Sequence, residues 1–161
     1  MRLSAWRIVK AKHAASAFSG IGARLAGGRW NSPGHAVVYT SASASLAMLE
    51  MLVHLQSEEL LRRYVLFEVT LDDSLVTTVT QTSMPKTWRK SPPPAALQRI
   101  GDAWLAAGTS AILRIPSVIV PAECNYLLNP AHSDFARIII GPKMPAQFDP
   151  RLVKRENMNG V

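Results

Sequence analysis

The sequence predicts an α+β fold in a single domain, with a mixed or antiparallel sheet and flanking helices. A chain of 161 residues suits one domain. Its 48% hydrophobic and 18% charged residues are an ordinary globular composition. Short β-rich segments alternate irregularly with helical ones, whereas a parallel sheet needs a regular strand–helix repeat. We therefore expect residues 1–161 to form one domain of the α+β class.

Two strands and an irregular loop are expected in the first 41 residues. Residues 3–9 (LSAWRIV) resemble a first strand, and residues 37–41 (VVYTS) resemble a buried strand. Residues 12–18 predict a short helical turn. The five glycines between residues 19 and 36 predict a tightly turning loop, because glycine accepts backbone conformations closed to other residues.

A helix is predicted from Ser43 or Ser45 to about Leu55, since serine is a good N-cap residue. Apolar residues occur on nearly all sides of this helix, which predicts that it is largely buried. Glu50 lies inside the same apolar stretch. A carboxylate in such surroundings needs a partner or a cleft, because burying an unpaired charge is costly.

The rest of the chain predicts one further helix among several short strands. The helix covers residues 94–107, with Pro94 at its start and Gly108 just after its end. Residues 83–94 hold four prolines and three basic residues, which is typical of a surface loop. Strands are expected in the β-rich segments 64–71, 75–80, 111–115, 118–120 and 137–140.

Composition excludes several classes of protein. Cys124 is the single cysteine, so an intrachain disulfide is impossible and a reducing compartment is favoured. The four histidines are scattered without the spacing of metal ligands, so we expect no metal site. The N-terminus lacks a signal-peptide core, and no apolar run approaches about 18 residues. We therefore expect a cytoplasmic protein without a membrane span.

The charge of the chain is positive and uneven. Its formal net charge is +7, and the first 49 residues hold six arginines and lysines but no acidic residue. Basic proteins commonly bind anions such as nucleic acids, acidic proteins or phosphate-bearing small molecules. A nucleic-acid-binding module is therefore one alternative, although aromatic residues are few and no recognition motif is present.

A first candidate cluster lies between residues 27 and 54. Arg29 offers a forked pair of donors for a phosphate or carboxylate group. Trp30 and Tyr39 offer flat faces on which a heterocycle can stack. Glu50 is suited to bind a sugar hydroxyl and to favour developing positive charge. The same residues also fit a structural interpretation, in which the aromatic rings fill the core and Arg29 pairs with Glu50.

A second candidate region covers residues 115–132. Ser117 follows a proline between two β-rich segments, but the strained GxSxG turn of a serine nucleophile is absent. Hydrogen bonding to a ligand or to its own loop is therefore the favoured role. Asn125 and Asn129 bracket an apolar segment that we interpret as a turn.

Together the two regions resemble the RES-domain family of bacterial toxins. The resemblance rests on GGRWNSPGHAVVYTSASASLAMLEMLVH and IPSVIVPAECNYLLNPAH, and it extends from about Trp6 to Gly141. It implies a fold related to ADP-ribosyltransferases with a cleft for NAD, which is the substrate and not a cofactor. It also implies loss of nicotinamide by hydrolysis or phosphorolysis, and a cognate helix-turn-helix antitoxin that covers the active site.

The resemblance implies the roles of individual residues. It assigns the family's arginine, tyrosine, glutamate and serine to Arg29, Tyr39, Glu50 and Ser117. Ser133 in the second region is an alternative for the serine, and Trp30 and Asn125 lie in the same motifs as further candidates for substrate binding.

The mechanism implied by the resemblance divides the dinucleotide among these residues. Arg29 holds the pyrophosphate, while Tyr39, helped by Trp30, stacks near nicotinamide. Glu50 binds the ribose hydroxyls and stabilises the sugar cation that forms as nicotinamide leaves, and Ser117 orients the substrate or Glu50. A close alternative keeps the same cleft but transfers ADP-ribose to a protein target.

Overall fold

A mixed sheet of eight strands organises the residues described by this computed structural model, which are 1–55 and 63–152. The strands are β1 (Arg2–Lys10), β2 (Val38–Ser41), β3 (Tyr64–Asp72), β4 (Val76–Thr78), β5 (Ile112–Pro116), β6 (Cys124–Leu128), β7 (Ile139–Ile140) and β8 (Met144–Ala146). Their order is β4-β5-β6-β2-β1-β3, and the outer edge of β3 pairs with both β7 and β8. All pairs are antiparallel except β4–β5, so the predicted mixed sheet is confirmed.

Three α-helices accompany the sheet in the described chain: α1 (Ile21–Ala26), α2 (Ala44–Leu52) and α3 (Ala95–Ala107). Ser43 caps α2 as predicted, because its side chain accepts the N–H of Leu46. Gly108 ends α3 in the left-handed conformation, with a φ of 56°, so the predicted stop is confirmed. No helix in residues 1–55 or 63–152 has the length and apolar character needed to cross a membrane.

Several expectations about individual elements are wrong. Residues 118–120 form bends and not a strand, and the segment interpreted as a turn between Asn125 and Asn129 belongs to strand β6. The glycine-rich loop contains the short helix α1, and β8 was not predicted. The expected domain of residues 1–161 includes residues 56–62 and 153–161, which lie outside the described residues.

Helix α2 is less buried than its composition predicts. Leu46 and Ala47 are buried against the sheet. Leu49 and Val53 lie on the outer side, where 41% and 60% of their surfaces are exposed. The helix also ends at Leu52, shortly before the predicted end at Leu55. The apolar residues therefore extend beyond the face that the core covers.

The core lies on both sides of the sheet. Successive residues of a strand point to opposite faces, so Leu127 packs with Trp30 and the buried face of α3, while Leu128 packs with Val38 and Val69 on the other face. The helix α3 follows the backbone of Trp30 so closely that only glycine fits at position 101. This close packing fixes the loop that follows α1.

Candidate active site

The Glu50 carboxylate is held by two side chains from distant parts of the chain. The Ser117 hydroxyl donates to Glu50 Oε1 at 2.8 Å, and Asn125 Nδ2 donates to the same oxygen at 2.6 Å. Hydrogen bonds to an ionised group are stronger than neutral ones and fix its orientation. We call these three residues the Glu50 cluster. The fold thus joins a residue of the first candidate region to two residues of the second.

The turn after β5 explains the position of Ser117, which is fully buried. Its Oγ accepts the N–H groups of Ile119 and Val120 at 3.2 and 3.1 Å. Its own N–H donates to the Glu123 carbonyl oxygen at 3.0 Å. With both N–H groups directed at the oxygen, the hydroxyl proton is left for Glu50. This geometry supports the predicted hydrogen-bonding role of Ser117.

The register of the sheet determines the position of Asn125. It lies on β6 opposite Ile115 of β5 and opposite Ser41 at the end of β2. Helix α2 starts directly after β2, and the Ser43 hydroxyl at its N-terminus donates to Glu123 Oε2 at 3.1 Å. The helix that carries Glu50 is therefore tied at its start to the segment that carries Ser117 and Asn125.

Arg29 lies in a loop of residues 27–36, which we call the Arg29 loop. Its Nη1 donates to the carbonyl oxygens of Trp88 and Lys90 at 3.0 and 3.1 Å. Partial burial lowers the pKa of Arg29, while Glu50 and Tyr39 act in the opposite direction through their charges. Arg29 is therefore within electrostatic range of Glu50. Within residues 1–55 and 63–152 no ion pair joins the two, so the alternative of a structural Arg29–Glu50 pair is wrong.

Tyr39 binds the Arg29 loop through its hydroxyl group. Oη accepts the N–H of Trp30 at 3.1 Å and donates to Asn31 Oδ1 at 2.8 Å. A Cβ atom on Gly28 would lie only 2.6 Å from Oη, so the loop needs glycine there. Burial raises the pKa of Tyr39 to about 12, since the charged phenolate is disfavoured away from water.

The location of Trp30 corrects one prediction. Its side chain is only 2% exposed and packs with Trp88, Leu97 and Leu113 in the core beneath α3. A ring without free surface cannot stack on a ligand, so the expected help of Trp30 in stacking on nicotinamide is wrong. The alternative interpretation, that Trp30 fills the core, is the one that the structure supports.

Helix α3 holds the Arg29 loop from the side. Gln98 Nε2 donates to the Gly28 carbonyl oxygen at 3.0 Å, and Asp102 Oδ1 accepts the N–H of Ser32 at 2.9 Å. Between them, a side chain at Gly101 would overlap the Trp30 carbonyl oxygen. The loop that presents Arg29 is thus fixed by side chains of α3 binding its backbone.

Sequence reasoning missed Asn31, whose side chain is fully buried. Its Nδ2 donates to the carbonyl oxygens of Ala23 and His35 at 2.9 and 3.1 Å, while its Oδ1 accepts the Tyr39 hydroxyl. Asparagine in a glycine-rich turn is a known signal for side-chain bonding to the backbone. It was the available sign that residue 31 organises this loop.

Arg7 was also missed. It lies on β1, where Nε donates to the Ala17 carbonyl oxygen and Nη1 donates to the Tyr39 carbonyl oxygen at 2.7 Å. Burial lowers the pKa of Arg7 to about 10. The available signal was a charged residue inside a predicted strand, LSAWRIV. Its bonds place a cation directly behind strand β2 and Tyr39.

The remaining predicted residue is Ser133. It begins a short 3-10 helix, Ser133–Arg137, and lines an open pocket of about 460 Å³ together with His35, Asn129 and His132. Ser117, in contrast, binds Glu50 directly. The geometry therefore favours Ser117 over Ser133 as the functional serine. No group of His, Cys, Asp and Glu placed to hold a metal ion occurs in the part of the chain that the structure describes.

A fixed carboxylate, a loop-borne arginine and a mixed sheet packed against helices define a class of α+β domain. The chain belongs to the RES-domain family, whose model, described as RES domain, matches residues 4–149. It is 42% identical over 148 residues to Toxin Res of Yersinia enterocolitica, covering 91% of this chain and 97% of the relative. The protein is accordingly a RES-domain toxin.

Two further comparisons extend this result. The chain is 38% identical over 161 residues to the Prs ADP-ribosylating toxin of Sphingobium sp., covering 96% of this chain and 99% of the relative. Its fold is similar to a chain in the crystal structure of the M. tuberculosis MbcT–MbcA toxin–antitoxin complex. The TM-score is 0.75 at 19% identity, covering 95% of this chain and 87% of the other.

Proposed function

We propose that this toxin depletes NAD by cleaving the bond between nicotinamide and ribose. The single observation that carries the proposal is the geometry of Glu50. Both of its protein donors, Ser117 and Asn125, bind Oε1. No described residue donates a hydrogen bond to Oε2, so this oxygen is left for a ligand. A fixed carboxylate with one oxygen left over is suited to bind a sugar hydroxyl and to stabilise a sugar cation.

The proposed reaction breaks the C1′–N bond with its electron pair passing to nicotinamide. Nicotinamide then leaves as a neutral molecule, and positive charge develops on the ribose. Glu50 stabilises this oxocarbenium-like state electrostatically. Water attacks C1′ in hydrolysis and releases a proton to solvent, whereas phosphate attacks C1′ in phosphorolysis. The leaving group needs no protonation, so the site requires no general acid.

Arg29 and Tyr39 position the rest of the dinucleotide in this proposal. The two carbonyl oxygens of the 83–94 loop bind Arg29 through Nη1 alone, and the other N–H groups are proposed to bind the pyrophosphate in forked geometry. The half-buried ring of Tyr39 is the proposed stacking surface for nicotinamide. Its hydroxyl serves the loop, which explains why the ring has a fixed orientation.

Release of nicotinamide from NAD by the purified protein tests the proposal. Glu50→Gln keeps the shape of the side chain but removes its charge, and we expect turnover to fall by about 10²- to 10³-fold. Arg29→Ala is expected to raise KM for NAD. Glu68→Gln is the matched control, because Glu68 is an exposed carboxylate on β3. Equal rates in all four proteins would contradict the assignment of the site.

A second candidate keeps the same first step but transfers ADP-ribose to a protein. It is favoured by the name of the Sphingobium relative, a Prs ADP-ribosylating toxin that aligns along almost its whole length. NAD labelled in its adenylate part separates the two. Label in free ADP-ribose or its phosphate supports degradation, and label on a macromolecule supports transfer.

We also propose that a cognate helix-turn-helix antitoxin neutralises the protein in the cytoplasm. The similarity of the fold to a toxin solved with its antitoxin supports such a partner. Co-expression with the neighbouring gene product is the test. Rescue of growth together with a stable complex on size-exclusion chromatography is the expected result, and loss of both contradicts it.

A further inference from the structure

One acceptor in the Glu50 cluster has no partner. Asn125 Oδ1 is shut off from solvent, and no donor of the described chain is hydrogen-bonded to it. Buried polar atoms in folded proteins are nearly always hydrogen-bonded, so each exception needs an explanation. This exception lies on the residue whose Nδ2 binds Glu50 at 2.6 Å. The unpaired oxygen is therefore part of the candidate active site.

The orientation of the Asn125 amide is fixed by its neighbour. A carboxylate oxygen only accepts hydrogen bonds, so Nδ2 and not Oδ1 faces Glu50. Turning the amide over to satisfy Oδ1 elsewhere would bring two acceptors together and remove a charge-assisted bond. The Glu50 carboxylate thus holds Oδ1 in its unpaired orientation. The missing donor must come from outside the described chain.

The hydrogen-bonded pair Glu50 and Asn125 therefore contains two acceptors without a donor from the described protein, which are Glu50 Oε2 and Asn125 Oδ1. A ribose carries two adjacent hydroxyl groups, and each can donate one hydrogen bond. Inorganic phosphate is a poor match, because its negative oxygens would meet the Glu50 carboxylate. The two acceptors are therefore suited to bind the two adjacent hydroxyl groups of a ribose.

We propose that Asn125 Oδ1 accepts a hydroxyl of the nicotinamide ribose while Glu50 binds the adjacent one, so that Asn125 selects ribose over deoxyribose. The inference rests on the proposed function, because it assumes that NAD is the substrate. The proposed bond requires that the bound sugar displace the groups that cover Oδ1, because this atom has no surface open to solvent. Asn125 then has two roles. Its N–H group positions Glu50, and its oxygen accepts a hydrogen bond from a hydroxyl of the substrate.

The test compares kcat/KM for NAD with two analogues that lack the 2′- or the 3′-hydroxyl of the nicotinamide ribose. In the wild-type protein, the analogue without the hydroxyl read by Asn125 is discriminated against. Asn125→Ala is expected to reduce that discrimination by about 10-fold, because the oxygen that reads the hydroxyl is gone. Discrimination against the other analogue, which reports on Glu50, is expected to be retained.

Ser117→Ala is the matched control, since Ser117 is the other donor to Glu50 Oε1. It is expected to slow the reaction of all three dinucleotides by one common factor. Asn125→Asp is a second variant that keeps an oxygen acceptor but loses the donor to Glu50. We expect it to react slowly and still to discriminate between ribose and deoxyribose.

The outcomes are distinct. A common loss on all three dinucleotides in Asn125→Ala would overturn the inference and leave Asn125 as a positioning residue for Glu50 alone. A lost discrimination against the 3-acetylpyridine analogue of NAD, with ribose discrimination unchanged, would also overturn it, because Asn125 would then read the carboxamide. A wild-type protein that releases no nicotinamide at all would overturn the proposed function together with the inference.

Discussion

The Glu50 cluster and the Arg29 loop present their functional groups in opposite ways. In the Glu50 cluster, side chains that are 67 and 75 residues away from Glu50 bind it directly. In the Arg29 loop, the side chains of Tyr39 and Asn31 bind backbone groups of the loop itself and of the preceding helix α1. The Glu50 cluster is thus a set of contacts between side chains that separate secondary-structure elements bring together. The Arg29 loop is instead a backbone segment, held by hydrogen bonds, that carries one functional side chain.

Because of this difference, we expect substitutions in the Glu50 cluster to affect mainly activity and substitutions around the Arg29 loop to affect mainly stability. Changing Glu50 or Asn125 alters the charge or the hydrogen bonds offered to a substrate. Ser117 is the exception in this cluster, because it also accepts two backbone N–H groups. Changing a residue that supports the Arg29 loop removes partners of buried backbone groups, and unpaired buried groups cost free energy of folding. Variants in each region test whether activity and stability are separable in this way.

The largest effect is expected from Gly101→Ala. The added methyl group would overlap the Trp30 carbonyl oxygen, which is backbone and not a flexible side chain. Overpacking of a well-packed core typically costs about 1–3 kcal/mol, and we expect the upper end of this range. Urea unfolding measures the loss, and KM for NAD is expected to rise because the Arg29 loop must shift.

Gly22→Ala is the matched control for this change. Gly22 lies in α1 and faces open space, so alanine there adds no clash. Alanine is also the better helix former by about 0.5–1 kcal/mol. We expect Gly22→Ala to be as stable as the natural sequence or slightly more stable. Equal stability of both variants would show that α3 does not hold the Arg29 loop.

The next effect is expected from Tyr39→Phe. The change leaves Asn31 Oδ1 without its donor and the Trp30 N–H without its acceptor. Leaving such groups unsatisfied costs about 1–3 kcal/mol. We expect a lower free energy of unfolding and a KM for NAD that rises more than kcat falls. A normal stability combined with a large fall in kcat would instead place the hydroxyl in the chemistry.

The free energy of unfolding of the same variant is also expected to depend on pH differently from that of the natural protein. The pKa of Tyr39 is about 12 in the folded protein, against an ordinary value of 10. Folding therefore favours the neutral phenol, so this contribution to stability is complete below pH 10 and is lost as the pH rises toward 12. Phenylalanine does not titrate. The difference in free energy of unfolding between the two proteins is expected to shrink over this range.

The fold was predictable where the chain has strong local signals. Strand β1, strand β3 and helix α3 were predicted within one or two residues, because their apolar patterns and the stop at Gly108 are local. Strand β6 was missed, since its segment begins with Cys124 and Asn125 and lacks the usual alternation. Its pairing with β2 joins residues 38–41 to residues 125–128, which no local pattern reveals.

The sequence predicted which residues form the site but not how these residues contact one another. The resemblance picked out Glu50 and Ser117, but their contact depends on the pairing of β6 with both β2 and β5. Trp30 was misjudged because an aromatic residue has the same sequence signal in a core and in a binding face. Arg7 was overlooked because a cation bound to carbonyl oxygens has no acidic partner to reveal it.

The smallest effect is expected at the rim of the Arg29 loop. Lys86 and Arg89 are exposed on the 83–94 loop, whose carbonyl oxygens bind Arg29. Under the proposed function these charges attract anionic NAD from a distance, so the double change Lys86→Gln and Arg89→Gln is expected to raise KM by about 2- to 3-fold at low ionic strength. At about 1 M salt the effect should vanish, because the Debye length falls to about 3 Å. Lys143→Gln, an exposed cation between β7 and β8, is the control and should change nothing. A rise in KM that persists at high salt would mean that Lys86 or Arg89 touches the substrate, and the rim would then belong to the site itself.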